Sequence, residues 1–211
     1  MGTDIHSIAQ VKTGKKWKTV DGGIGGDDRN YDTFAVLAGI RNGRGFAGCV
    51  TGEAWPVMSE PRGLPEDLEM DEDDDSRCDG KWFGDHSHSW LTLAEMETFW
   101  EELKNNQHKT IGCISVPQFK NLMLHKEIPT AWSGGVSGGE IKLVDLSDKE
   151  NLSEIEIARL TKDATDVRAS WFRRVEDSCW GLVKIMEHLR SIAADNGVEA
   201  KDVRFVFGFD S

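Results

Sequence analysis

The chain has 211 residues, enough for one domain with a sizeable core, and its eight Trp and nine Phe supply bulk although the hydrophobic share is 38%. A net charge of −12 argues against a broad basic face, so direct nucleic-acid binding through phosphate contacts is not expected. No apolar run approaches the roughly 18–20 residues of a membrane span, and the first residues lack the basic and apolar regions of a secretory signal.

Residues 3–20 read as a β-hairpin. Ile5, Ser7, Ala9 and Val11 alternate with Asp4, His6, Ile8 and Gln10, and Thr13-Gly14-Lys15 supplies the turn. Asp4 and His6 then share one strand face, about 7 Å apart along the strand. Gly22-Gly23-Ile24-Gly25-Gly26 lacks the order of a dinucleotide fingerprint. Asp27 or Asp28 is a candidate cap for a short helix over 31–42, with Tyr31, Phe34, Leu37, Ala38 and Arg41 on one stripe. Residues 43–82 carry no clear periodicity and read as a long irregular excursion, strongly acidic over 66–75. The run Asp71 to Asp75 lacks the spacing of an EF-hand.

Gly84-Asp85-His86-Ser87-His88-Ser89-Trp90-Leu91-Thr92 reads as a loop entering a helix. Thr92 and Glu95 make a capping box, and Leu93, Met96, Phe99, Trp100 and Leu103 form the buried stripe. Thr110 to Val116 follows as a buried strand stopped by Pro117, then a short helix over Gln118 to His125. The loop Ser133 to Gly139 lacks the Lys-Ser/Thr end of a P-loop. Glu140 to Leu146 reads as a strand, and Ser153 with Glu156 as the start of another capped helix. Residues 167–195 read as the longest helix, on Trp171, Val175, Cys179, Leu182, Met186, Leu189 and Ala193, closed by Asn196-Gly197. Asp202 to Phe209 is the final strand, with Asp210 at its end. These elements do not alternate as βαβ units. The expected fold is therefore α+β, a mainly antiparallel sheet with helices packed on one face, in a single domain. Cys49, Cys78, Cys113 and Cys179 form no CxxC pair and read as reduced thiols.

Two polar clusters carry the candidate chemistry. Asp4, His6, Asp85, His86 and His88 offer enough donors for a zinc or manganese ion, if the N-terminal strand lies beside residue 85. Such an ion would activate water for hydrolysis. Without a metal, His6, His86 and His88, oriented by Asp4 and Asp85, are candidate general acids and bases. The two-histidine phosphoesterases place each His on its own strand. The present run departs from that pattern, because its second copy falls in a predicted loop. The alternative is structural, with the histidines packing near Trp90 and Asp85 accepting backbone N–H bonds. Arg29, Arg41 and Arg62 are candidate phosphate ligands, since a guanidinium grips phosphate in bidentate fashion. Tyr31 and Trp90 are candidate stacking partners for a base. For any single Arg, pairing with the surplus carboxylates is the competing reading.

Several stretches together resemble a family of uncharacterised small bacteriophage proteins. They are Met1 to His6, Arg29-Asn30-Tyr31 with Phe34 through Arg41, Arg62-Gly63-Leu64-Pro65 with Asp67, Asp85 through Thr92, and Arg204 to Asp210. Members of that family often carry Cys where this chain has Thr3. The resemblance implies a phage origin and the host cytoplasm, and it supplies no reaction. Small phage proteins often counter host defence, which makes a nucleotide signal an attractive ligand. The leading expectation is a phosphorylated, nucleotide-like ligand held in an Asp/His/Arg pocket, with phosphodiesterase-like hydrolysis, metal-assisted or His-dependent. The alternatives are a nucleotide sponge without turnover and a non-enzymatic acidic protein, a DNA mimic or an inhibitor of a host defence protein.

Overall fold

The computed structural model describes residues 2–22, 29–68 and 83–210, with Phe46 described by its backbone alone. Asp27, Asp28, Asp71 to Asp75 and Cys78 lie outside the described residues, as does most of the glycine-rich loop after Gly22. The fold is α+β with mainly antiparallel sheets. The chain divides into two compact units: residues 1–42, 55–105 and 175–211 form the first, and residues 43–54 and 106–174 the second.

The first unit is built on a four-stranded antiparallel sheet. Its strands are β1 (Asp4–Thr13), β2 (Lys16–Gly22), β3 (His86–Thr92) and β7 (Val203–Asp210), in the spatial order β2-β1-β7-β3. The hairpin β1–β2 turns at Gly14, whose φ of 64° suits a residue without a Cβ. Along β7 the alternation Val203, Phe205, Phe207, Phe209 points one row of side chains into the core. That row meets Ile5, Ala9 and Val11 of β1 and Leu91 of β3. Helices α1 (Tyr31–Ala38), α2 (Leu93–Leu103), α5 (Val175–Ser178) and α6 (Trp180–Asn196) cover the same face. Each fully buried Phe or Leu in this row contributes about 1.5–3 kcal/mol of transfer free energy. On the sheet's other face Ile8 and Val206 pack with Phe83, Leu68 and Trp90 in a smaller cluster.

The second unit holds a three-stranded sheet in the order β4-β6-β5, from β4 (Gln107–Ser115), β5 (Leu143–Asp145) and β6 (Asp166–Arg174). β4 and β6 are antiparallel and β5 joins β6 in parallel. Helices α3 (Val116–His125) and α4 (Glu154–Leu160) complete its core, where Phe119, Leu122 and Ile157 meet Ile114, Val167, Ala169 and Trp171.

Three expectations are corrected. The first concerns the helix predicted over 167–195. Residues 166–174 are β6, and the helical part begins only at Val175. Val167, Ala169 and Trp171 are buried while the residues between them are not, a period of two that the downstream stripe obscured. The second concerns α1, which is shorter than 31–42. Asn30 caps it, accepting from the Thr33 N–H, and Gly39 ends it in the left-handed region with its N–H on the Ala35 and Phe34 carbonyls. Third, the histidine run is a strand. It is β3, and only Thr92 at its end caps α2, with Glu95 completing the box.

Candidate functional site

The end of the first sheet gathers most of the predicted residues. β7 runs between β1 and β3, with Asp4 opposite Asp210, His6 opposite Gly208, and His86 opposite Phe209. The N-terminal strand therefore lies two inter-strand spacings from β3, about 9–10 Å, rather than beside residue 85.

A β-bulge decides where the histidines go. Between His86 and Ser89, β3 sets two residues, Ser87 and His88, against the single Gly208 that lies between Phe209 and Phe207 on β7. Ser87 absorbs the extra residue at φ 55°. The bulge resets the alternation of side chains. His86 falls on the core-facing side and its ring stacks on Phe209, centroids 6.3 Å apart. His88 falls on the outer face, its Nε2 3.0 Å from the Gly84 carbonyl oxygen. The His88 ring lies over Gly208. A Cβ at that position would stand 2.6 Å from His88 Cδ2 and would collide with the Phe83 carbonyl.

The outer face of this sheet end thus carries Asp4, His6, His88 and Asp210. His6 Nε2 is 3.4 Å from Asp210 Oδ2. The other carboxylate oxygen of Asp210 accepts the Asp4 backbone N–H at 3.2 Å. Arg29 grips Asp4 with two hydrogen bonds, Nε to Oδ1 at 2.7 Å and Nη2 to Oδ2 at 2.8 Å. Those bonds hold the Asp4 carboxyl below its usual pKa, the Arg29 hydrogen bonds outweighing slight burial, with the charges of Arg29 and His6 adding to them. Gly2 leaves room for the guanidinium, since a Cβ there would lie 2.7 Å from Arg29 Cζ. Asp85 sits beside this group with its side chain exposed and its N–H on the Phe209 carbonyl at 2.7 Å.

On the core-facing side of the same sheet end, Arg41 donates to Thr3 Oγ1 at 2.7 Å and lies 4.9 Å from the Tyr31 ring. Arg41 is past the end of α1, at φ 51°, so its side chain is set by this pair of contacts and not by the helix. Tyr31 in turn meets Phe34, which meets Phe209.

Arg62 and Trp90 are placed elsewhere, four residues along β3 from His86. Arg62 pairs with Glu95 at 2.9 Å and lies 5.2 Å from the Trp90 ring. Its backbone N–H donates to Ser89 Oγ. It clips residues 59–62 to the start of α2. Burial would raise the Glu95 pKa, but hydrogen bonds from the Thr92 backbone and hydroxyl and from Arg62 together lower it.

The five candidate metal donors are thereby split between the two faces of the sheet. Among the described residues no three His, Cys, Asp or Glu side chains gather as a metal ion requires. Sequence reasoning missed Asp210, the carboxylate partner of His6, although its place at the end of the Phe-rich strand was visible. It also missed Arg204. That side chain is 2% exposed, donates to Gln10 Oε1 and Asp67 Oδ1 at 2.8 Å each, and lies between the Trp17 and Trp90 rings at 4.3 and 5.7 Å.

No family model, curated protein or solved structure matches this chain. Among the described residues, no helix is long and apolar enough to cross a membrane.

Proposed function

We propose that the outer face of this sheet end binds a small phosphorylated, nucleotide-like ligand, and that His6 and His88 exchange protons with it. The observation that supports this most is the placement of the two imidazoles. They sit on separate strands on either side of Gly208, whose missing side chain lets the His88 ring and the Phe83 carbonyl close over it, and Asp210 stands beside His6. In a phosphodiester hydrolysis, water adds to phosphorus while one imidazole takes its proton. The bond to the leaving oxygen then breaks as the other imidazole donates. Asp210 would orient His6. Arg29 would turn from Asp4 to the phosphate, an exchange open to an exposed guanidinium whose present partner is also exposed.

The reading agrees with the family resemblance and with a role against a nucleotide signal of the host, in the host cytoplasm. The test incubates the protein with a panel of cyclic and linear nucleotides and recovers the ligand by mass spectrometry. A cleaved product identifies an enzyme, and intact bound nucleotide identifies a sponge. His6→Ala with His88→Ala should abolish turnover and leave the circular dichroism spectrum unchanged. Turnover that persists in that double variant places the chemistry elsewhere.

The net charge of −12 favours a second reading, in which an acidic surface engages a basic host protein, a defence protein among them. Neutralising Asp71 to Asp75 should then abolish binding to that partner. Binding that survives counts against this reading.

A further inference from the structure

Arg204 is charged, buried and only partly satisfied. It projects from β7 onto the outer face of the first sheet, opposite Gln10 of β1 and Thr92 of β3. Its side chain is 3% exposed, with the Trp17 and Trp90 rings at 4.3 and 5.7 Å. Nε donates to Gln10 Oε1, and the Gln10 amide is turned for that by its own bond to Thr19 Oγ1 at 3.1 Å. Nη1 donates to Asp67 Oδ1 at 2.8 Å. Nη2 is buried and has no partner among the described residues. A charged donor left buried without an acceptor is costly, and a guanidinium carries its five N–H groups in a fixed fork that cannot turn one of them away.

Asp67 is an incomplete counter-ion for that fork. It reaches one of the two terminal nitrogens with one oxygen. Its side chain is 58% exposed, so solvent reaches the carboxylate although it does not reach the guanidinium. The other cations at these rings do not supply the missing acceptor. Arg62, 5.2 Å from the Trp90 ring, pairs with Glu95, and Lys12, 5.8 Å from the Trp17 ring, has no acidic partner among the described residues.

We propose that Arg204 anchors an oxyanion site that takes the phosphate group of a ligand on Nη1 and Nη2 together, and that Asp67 occupies this site while no ligand is bound. A phosphate presents two oxygens along one edge at the spacing of the guanidinium fork. It satisfies both terminal nitrogens where Asp67 satisfies one. The anion enters where the Asp67 carboxylate stands, from the solvent side. Trp17 and Trp90 hold the guanidinium between them and keep water off it, which strengthens its pull on an anion. A buried ion pair is by itself a weak source of stability, so this setting is better explained by an anion that exchanges with Asp67. The inference is independent of the histidine site, since Gly208 lies four residues along β7, about 13 Å away.

The test titrates inorganic phosphate into the full chain and follows the Arg204 side-chain nitrogens by NMR. Asp67→Ala removes the internal competitor and should tighten phosphate binding roughly tenfold or more. Saturation of that variant should shift the Arg204 Nη resonance. Glu66→Ala removes an equal charge from the exposed neighbour of Asp67 and should change the affinity by less than about twofold. Arg204→Lys in the Asp67→Ala background keeps the charge, loses the fork and should erase the gain. The proposal is overturned if Asp67→Ala binds phosphate no more tightly than Glu66→Ala, or if the Arg204 Nη resonance stays in place at saturation. Both of those readings stand even where Arg204→Lys does not fold. A gain that survives in a folded Arg204→Lys chain also overturns it.

Discussion

Single residues set the chemistry of the first sheet more than its strand pattern does. Gly208 is the clearest case, because any side chain there would strike both the Phe83 backbone and the His88 ring. Gly208→Ala should destabilise the protein by about 2 kcal/mol or more, the cost of forced overpacking against backbone, as read from urea unfolding. Arg204 is the second case. Burial pushes its pKa down, while the hydrogen bond and charge of Asp67 oppose that shift. Its removal takes one donor away from Gln10 Oε1 and empties the space between two indoles. Arg204→Ala should cost about 2–4 kcal/mol. Arg204→Met, which keeps an apolar stem between the rings, should recover at least half of that in the same measurement. At the candidate site, Arg29→Ala should raise the pKa of the Asp4 carboxyl, followed by carbon-detected NMR titration, since Arg29 is the main cause of its depression.

Elements were legible where local chemistry decides them and obscured where tertiary pairing does. Three helices begin with reciprocal capping boxes, Thr92 with Glu95, Ser115 with Gln118 and Ser153 with Glu156. The first and third were readable from spacing alone, and so were the hairpin and β7. Thr92→Ala should cost about 1 kcal/mol, seen as a lower thermal midpoint. β6 was misread because Trp171 and Val175 also fit a helical stripe with Cys179 and Leu182. Only the pairing with β4 reveals the alternation. β3 was taken for a loop because its bulge breaks the period-two pattern between His86 and Ser89. The same bulge explains why a sequence reader groups His86 with His88 while the fold sends their rings to opposite faces. Asp4 and His6 were rightly placed on one face. Their partner Asp210 lies 204 residues beyond His6, a contact that spacing cannot show.

At the scale of the whole molecule, the two cores should respond differently to acid. His108 on β4 is 9% exposed, and burial, with a contribution from the Arg173 charge, pushes its pKa down from 6.5 to about 4. Between those values the unfolded chain binds a proton that the folded chain excludes. Stability therefore rises with pH from about 4 to 6.5 and is lost as pH falls through that window, up to about 3 kcal/mol in all. Hydrogen exchange at pH 5 and pH 7.5, corrected for intrinsic rates, should show amides of β4 and β6 losing protection while those of β1 and β7 keep theirs. His108→Gln should remove most of that difference.

The order of strands in the first sheet also has a consequence during synthesis. β1 and β3 touch neither each other nor a finished sheet until β7 comes between them, and β7 is translated after every residue of the second unit. The ribosome therefore delivers all of the second unit's chain while the apolar face of the β1–β2 hairpin still waits for Phe205, Phe207 and Phe209. During that interval β1 lacks its β7 partner, and stalling translation before Val203 should leave it open to protease.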